Sequence, residues 1–156
     1  MIVPALVAAI ATSAVAMAGA QLTELGPWYR GLAKPGWQPP DWLFPPAWTL
    51  IFTLTAIVGV LAWRKAADRA TRRTLLLLFA LNGVLNVTWS ALFFAWQRPD
   101  FALAEVVLLW LSIVALIAFT FRFARTASLL LVPYLAWVSF ASVLNLAVVR
   151  LNGPFG

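Results

Sequence analysis

Five long apolar runs dominate the chain, at about residues 2–20, 45–63, 74–96, 101–121 and 127–149. Each approaches or exceeds the roughly 20 residues that an α-helix needs to cross a ~30 Å hydrocarbon core. In lipid, every backbone N–H and C=O must find its partner inside the protein, and such runs do so only as helices. The 156 residues are 63% hydrophobic and only 10% charged, against ~45–50% and ~25% in soluble domains. Too few charges are present to cover that much apolar surface in water. The expected fold is an all-α membrane protein: one domain, a five-transmembrane-helix bundle spanning residues 1–156. The first run ends in Ala16-Met17-Ala18-Gly19-Ala20, which is signal-peptide-like. A positive segment before it is missing and the run exceeds a typical signal core, so a retained helix is expected.

The net charge of +6 would suit nucleic acid if the cations formed one stripe. They sit instead between the apolar runs, so they read as topology signals and no nucleic-acid partner is expected. Arg64, Lys65, Arg69, Arg72, Arg73, Arg122 and Arg125 fall on one side of a five-helix bundle. Arg30, Lys34, Arg98 and Arg150 fall on the other. The positive-inside rule then puts the N-terminus in the cytoplasm of a bacterial cell membrane. The chain has no Cys and no His. Disulfides, thiolate chemistry and the commonest metal and haem ligands are thereby excluded, and no metal site is expected.

Between the first two runs lies Lys34-Pro35-Gly36-Trp37-Gln38-Pro39-Pro40-Asp41-Trp42-Leu43-Phe44-Pro45-Pro46-Ala47-Trp48. Each proline fixes its own φ and holds the preceding residue extended. A stiff backbone carrying Trp37, Trp42 and Trp48 suits the wall of a pocket for a flat apolar ligand. It equally suits an interfacial aromatic belt. Asp41 is expected to cap a turn into the second helix, which starts near Pro45 or Pro46.

Inside the membrane the polar groups are mostly amides. Asn82 and Asn86 share a stripe with Trp89, and Trp137 shares one with Asn145, because residues three or four apart are neighbours on a helix. Such amides bond across helices in lipid, or they face a heteroaromatic ligand beside the indoles. Trp110 joins that face or points to lipid. Glu105 is expected near the interface, and neither a carboxylate pair nor an activated serine is visible for conventional catalysis. Ala5, Ala9 and Ser13, and also Ala8, Thr12 and Ala16, form small-residue faces on the first helix. Such faces permit close packing within the chain or with a second copy, giving a homodimer.

Five motifs in order resemble the translocator protein family, the tryptophan-rich sensory proteins also known as peripheral benzodiazepine receptors. They are Lys34-Pro35-x-Trp37-x-Pro39-Pro40-x-Trp42; Pro46-x-Trp48; Leu85-Asn86-x-x-Trp89 with Phe93-Phe94; Val132-Pro133-Tyr134-Leu135-x-Trp137; and Leu144-Asn145. The resemblance spans the whole chain. It implies a five-helix bundle, often dimeric, with a pocket closed by the first loop. The implied ligands are porphyrins, namely protoporphyrin IX or haem, with no cofactor required. By motif the pocket would be lined by Trp37, Pro40, Trp42, Trp48, Phe52, Asn82, Asn86 and Trp89. The fourth helix would add Phe101, Ala104 and Leu108, and the fifth Tyr134, Trp137, Ala141, Leu144 and Asn145.

The chain departs from the family pattern in four places. Phe52 stands where a tyrosine is usual, Asn82 where a glutamine is common, and Ala91 where a proline is usual, so a straighter third helix is expected. Leu146-Ala147-Val148-Val149-Arg150 lacks the tyrosine of the animal sterol motif. The expected function is a porphyrin sensor or carrier, with the ligand's carboxylates near Arg30 or Lys34. The alternative is a light- and oxygen-dependent protoporphyrin-degrading enzyme in which Trp48 and Trp137 take part.

Overall fold

Prolines decide where most of the helices begin. A proline at the first or second position loses no helical hydrogen bond and brings a helical φ. Four helices start this way in the computed structural model, which describes residues 2–156. The elements are α1 (Ile2–Leu22), α2 (Pro27–Gly31), α3 (Phe44–Lys65), α4 (Arg69–Ser90), α5 (Pro99–Phe121), α6 (Arg125–Leu129) and α7 (Val132–Asn152). A single 3₁₀ turn, Asp41–Leu43, leads into α3. Five segments are long and apolar enough to cross a membrane: Ile2–Leu22, Asp41–Lys65, Arg69–Ala95, Pro99–Phe121 and Arg125–Asn152. The protein is an all-helical, multi-pass integral membrane protein.

Three boundaries differ from the sequence-based expectation, each for a physical reason. The third crossing begins at Arg69, not Thr74, because Asp68 caps it. The Asp68 carboxylate accepts from the Thr71 backbone N–H at 2.8 Å and its hydroxyl at 2.9 Å. These bonds hold the Asp68 carboxyl below its usual range. The same crossing ends not in straight α-helix but in a π-helical turn over Ala91–Ala95, where Trp96 N–H reaches the Ala91 carbonyl at 2.8 Å. The left-handed Gln97 (φ 54°) then turns the chain into α5. The last crossing is two helices, α6 and α7. Pro133 has no N–H to give Leu129 and its ring crowds that carbonyl, so the helix restarts at Val132.

Helix α5 lies at the centre, against α4 on one side and α7 and α6 on the other, while α1 packs on α3 and α4. Its inward stripe is Ala102, Glu105, Val106, Leu109, Ser112, Ile113, Leu116 and Thr120, all buried. Leu75, Val58, Leu131 and Val138 close on it from the neighbouring helices. Close approach, rather than escape from water, holds helices together in lipid. Gly83 marks one such approach: a Cβ there would sit 3.1 Å from a Val15 methyl. The Ala8 side of α1 faces Gly59 of α3, so one of its two small-residue faces is used within the chain. Ala5, Ala9 and Ser13 remain exposed.

Candidate functional site

The aromatic side chains of α3 and α7 meet at the end of the bundle covered by the first loop. Phe44, Trp48 and Phe52 stand at four-residue spacing, hence on one face of α3. Trp48 stacks on Phe52 with centroids 5.5 Å apart, and meets Trp137 edge-to-face at 6.3 Å and Tyr134 at 6.4 Å. Phe44 meets Trp137 at 5.6 Å. Phe140 continues the series, 5.6 Å from Trp137 and 5.9 Å from Trp37 of the loop. Edge-to-face rings at these distances attract through their quadrupoles. The indole Nε1 of Trp137 is buried here and has no hydrogen-bond partner.

The loop is fastened around Tyr29. Its hydroxyl donates to Asp41 Oδ1 at 2.9 Å and accepts from Gln38 Nε2 at 3.2 Å. Burial, then the bond to Asp41 and the Asp41 charge, push the Tyr29 hydroxyl up to about 12, with Gln38 opposing. Lys34 Nζ donates to the Tyr29 carbonyl at 2.7 Å and lies 4.3 Å from its ring centroid. Lys34 therefore holds the loop, while Arg30 is exposed. Asp41 does not cap the turn; its carboxylate is engaged by Tyr29 and the cap residue is Pro40.

A buried polar network ties α4, α5 and α7 together beside the aromatic group. Asn86 Nδ2 donates to Tyr134 Oη at 3.0 Å, and Tyr134 Oη donates to Asn82 Oδ1 at 3.1 Å. Asn82 Nδ2 donates to Ser112 Oγ at 2.9 Å, which donates to the Leu109 carbonyl at 2.7 Å. Trp89 Nε1 donates to Asn145 Oδ1 at 3.1 Å, and Asn145 Nδ2 to the Pro99 carbonyl at 2.9 Å. Trp110 Nε1 donates to Ser139 Oγ at 2.8 Å, so Trp110 faces the bundle. Of the two readings open for these amides, the geometry supports cross-helix bonding. Trp89 heads a second ring cluster with Phe93, Phe94, Trp28 and Tyr29.

The predicted site residues thus divide. Trp48, Phe52, Tyr134, Trp137 and Trp37 come together. Asn82 and Asn86 adjoin them through Tyr134, Trp89 and Asn145 form a separate chain to the Pro99 carbonyl, and Ala141 and Leu144 are half-buried on α7. Pro40 is exposed, and Trp42, 71% exposed, stands apart from the rings. Phe101, Ala104 and Leu108 lie on the outer face of α5, with Leu108 56% exposed. Arg98, paired with Asp100, lies over the Phe101 ring at 3.8 Å. The inward residue there is Glu105, 8% exposed, with both carboxylate oxygens unpartnered. It is the seventh residue of α5, about 9 Å along the helix, and it faces the bundle. Phe44, Phe140 and Tyr29 escaped the sequence reading. The four-residue spacing of Phe44 from Trp48 was the signal for the first. Among the described residues, no group of three or more carboxylates, histidines or cysteines is placed to hold a metal.

A five-helix membrane protein with its first loop clasped over an aromatic cluster defines a structural class, and sequence comparison supplies the family. The TspO/MBR family matches residues 2–151. The chain is 46% identical over 145 residues to the tryptophan-rich protein TspO of Chlorobaculum tepidum, covering 89% of each chain. It is 39% identical to the protein of that name from Archaeoglobus fulgidus, covering 92% of this chain and 93% of the other. It is 31% identical to the human translocator protein, over 80% of this chain and 75% of the other. The chain belongs to the TspO/MBR family.

Proposed function

We propose that this protein binds a porphyrin-like ligand, protoporphyrin IX or haem, between the Trp48 and Trp137 rings beneath the first loop, as a sensor or carrier of tetrapyrroles. The observation that carries this reading is the Trp137 indole N–H, buried without an acceptor amid apolar rings. A buried donor left unpaired costs about 1–3 kcal/mol, and a polar atom of a bound heteroaromatic would remove that cost. The edge-to-face contacts between Trp48, Trp137 and Phe44 are each worth only about 0.5–1.5 kcal/mol, which stacking on a larger flat ring would offset. The test is a titration of purified protein with protoporphyrin IX and with haem, in darkness, followed by tryptophan fluorescence. Saturable quenching by both is expected, because binding rests on stacking and burial. Saturation by haem alone would contradict it.

A second reading rests on two indoles in edge-to-face contact, their ring centroids 6.3 Å apart. In it the bound porphyrin is the photosensitiser, dioxygen the oxidant, and Trp48 or Trp137 the electron donor in light-dependent porphyrin breakdown. Trp48→Phe and Trp137→Phe would then stop conversion in light while binding in darkness persists in part. Equal bleaching by wild type, both variants and detergent alone would eliminate this reading. Assembly as a homodimer through the exposed Ala5, Ala9 and Ser13 face is part of the proposal. Cross-linking of an Ala9→Cys variant across a dimer tests it, and a wholly monomeric protein in lipid would refute it.

A further inference from the structure

The α3–α4 turn lies at the opposite end of the bundle from the loop, and there a groove of about 430 Å³ is lined by Trp63, Arg69, Arg72, Arg73, Leu76 and Leu77. Its upper part is cationic. Asp68 caps α4 at Arg69, so Arg69, Arg72 and Arg73 fall on the first turns of one helix instead of in a loose loop. Arg72 is held over the Trp63 ring at 5.0 Å, and its Nε is buried with no hydrogen-bond partner. Among the described residues no carboxylate lies within ion-pair distance of any of the three, and the nearby Asp68 carboxylate, which feels the Arg72 charge, is hydrogen-bonded by Thr71. The lower part is apolar. Leu76 and Leu77 are exposed, about 5–12 Å further along α4 than the three arginines, on the side where the acyl carbons follow the headgroup.

We propose that this groove is a binding site for an anionic phospholipid. Its phosphate sits on the Arg69, Arg72 and Arg73 guanidinium groups, and one acyl chain runs along Leu76 and Leu77. Guanidinium groups match phosphate oxygens by paired N–H donors. Basic pockets between membrane helices on the positive side suit anionic headgroups. Trp63 closes the groove at the depth where indoles favour the interface. The occupant is a lipid rather than free phosphate, because a small anion would leave the Leu76 and Leu77 wall unfilled.

The experiment uses the full chain in phosphatidylcholine vesicles carrying a small fraction of spin-labelled phosphatidylglycerol or spin-labelled phosphatidylcholine. The motionally restricted fraction of each label gives the preference. Wild type should restrict the phosphatidylglycerol label several-fold more than the phosphatidylcholine label. Arg69→Gln and Arg73→Gln singly should each lower that ratio by about fivefold at most, and the triple variant with Arg72→Gln should bring it close to unity. The Arg122→Gln/Arg125→Gln pair, which removes two positive charges at the same end of the bundle, should leave it as it was. Helicity and thermal stability check the triple variant, and the two exposed single variants stand if it fails to fold. Three results would overturn the proposal. One is an unchanged preference in the single and triple variants. Another is an equal response of wild type to both labels. The third is displacement of the phosphatidylglycerol label by millimolar orthophosphate as readily as by unlabelled phosphatidylglycerol.

Discussion

Asn152, the last residue of α7, clasps both backbone groups of Ala33 in the first loop. Its Oδ1 accepts from the Ala33 N–H at 2.7 Å, and its Nδ2 donates to the Ala33 carbonyl at 2.8 Å. The pair spans 119 positions of sequence and pins the middle of the loop to the end of the bundle. Asn152→Ala removes both bonds, each worth about 1 kcal/mol net. Global stability should fall by no more than about 2 kcal/mol. Amide exchange in residues 32–42 should quicken selectively, and porphyrin dissociation should quicken with it. Unchanged exchange in that segment would show that the clasp is not what holds the loop.

Tyr29 is the second fastening, and it titrates. Its hydroxyl must be neutral to donate to Asp41, and its folded value is raised from 10 to about 12. A raised value means the contribution is complete below the unfolded value. The loop should therefore be fully held up to about pH 10 and released as pH climbs from there through about 12. The tyrosinate absorbance of wild type minus that of Tyr29→Phe isolates this transition. Onset near pH 10 in the difference, with no delay, would mean the Tyr29–Asp41 bond does not persist in the membrane-bound protein.

Tyr134 bonds to Asn86 and Asn82 at once and so joins α7 to α4. Tyr134→Phe leaves two buried amide groups short of a partner. Cross-helix hydrogen bonds in membranes average about 0.6 kcal/mol and reach about 1.7, so a loss of 1–2 kcal/mol is expected. Denaturant-induced unfolding in mixed micelles reads it directly. Combined with Asn86→Ala, the double variant should lose less than the sum of the singles, since the two residues share one bond.

Some of this was open to view in the sequence and some was not. Apolar runs of membrane-crossing length specify five spans whatever the tertiary contacts. Their rotation is harder to read, because lipid-facing and protein-facing sides are both apolar. Phe101, Ala104 and Leu108 are placed in the pocket by the family resemblance alone, while α5 turns them out. The phase was recorded in the few polar residues of that helix: Glu105, Ser112 and Thr120 are all buried, and they lie on one stripe. The arginines from 69 to 73 read as a loop because charge between apolar runs signals topology, whereas the Asp68 cap makes them the first turns of α4. The Trp48–Trp137 meeting could be anticipated from motif and spacing. The Asn152 clasp could not, since nothing local marks a partner 119 positions away.

Glu105 offers a test of how far the bundle tolerates an unpaired polar group. It is buried, with both carboxylate oxygens unpartnered, and burying such a group without a partner costs about 1–3 kcal/mol, which an apolar replacement removes. Glu105→Leu fills a similar volume without polar atoms. Stability should rise by about 1–3 kcal/mol, measured by the same micellar unfolding. A fall in stability would mean that Glu105 has a stabilising partner in the membrane.

Two indoles in the same bundle make opposite predictions. Trp89 Nε1 is satisfied by Asn145 at 3.1 Å, whereas Trp137 Nε1 is buried with no acceptor. Phenylalanine at either position keeps a flat apolar ring and removes the N–H. Trp89→Phe strands the Asn145 oxygen, so it should cost about 1–2 kcal/mol of stability while changing porphyrin affinity little. Trp137→Phe removes a donor that was unpaired, so the unliganded protein should lose less stability than in Trp89→Phe. Porphyrin affinity should instead fall by about tenfold, the loss of roughly one hydrogen bond to the ligand. Unfolding curves and dark fluorescence titrations on the two variants give all four numbers. If Trp137→Phe binds protoporphyrin as wild type does while Trp89→Phe does not, the ligand lies against the Trp89–Phe93–Phe94 cluster instead.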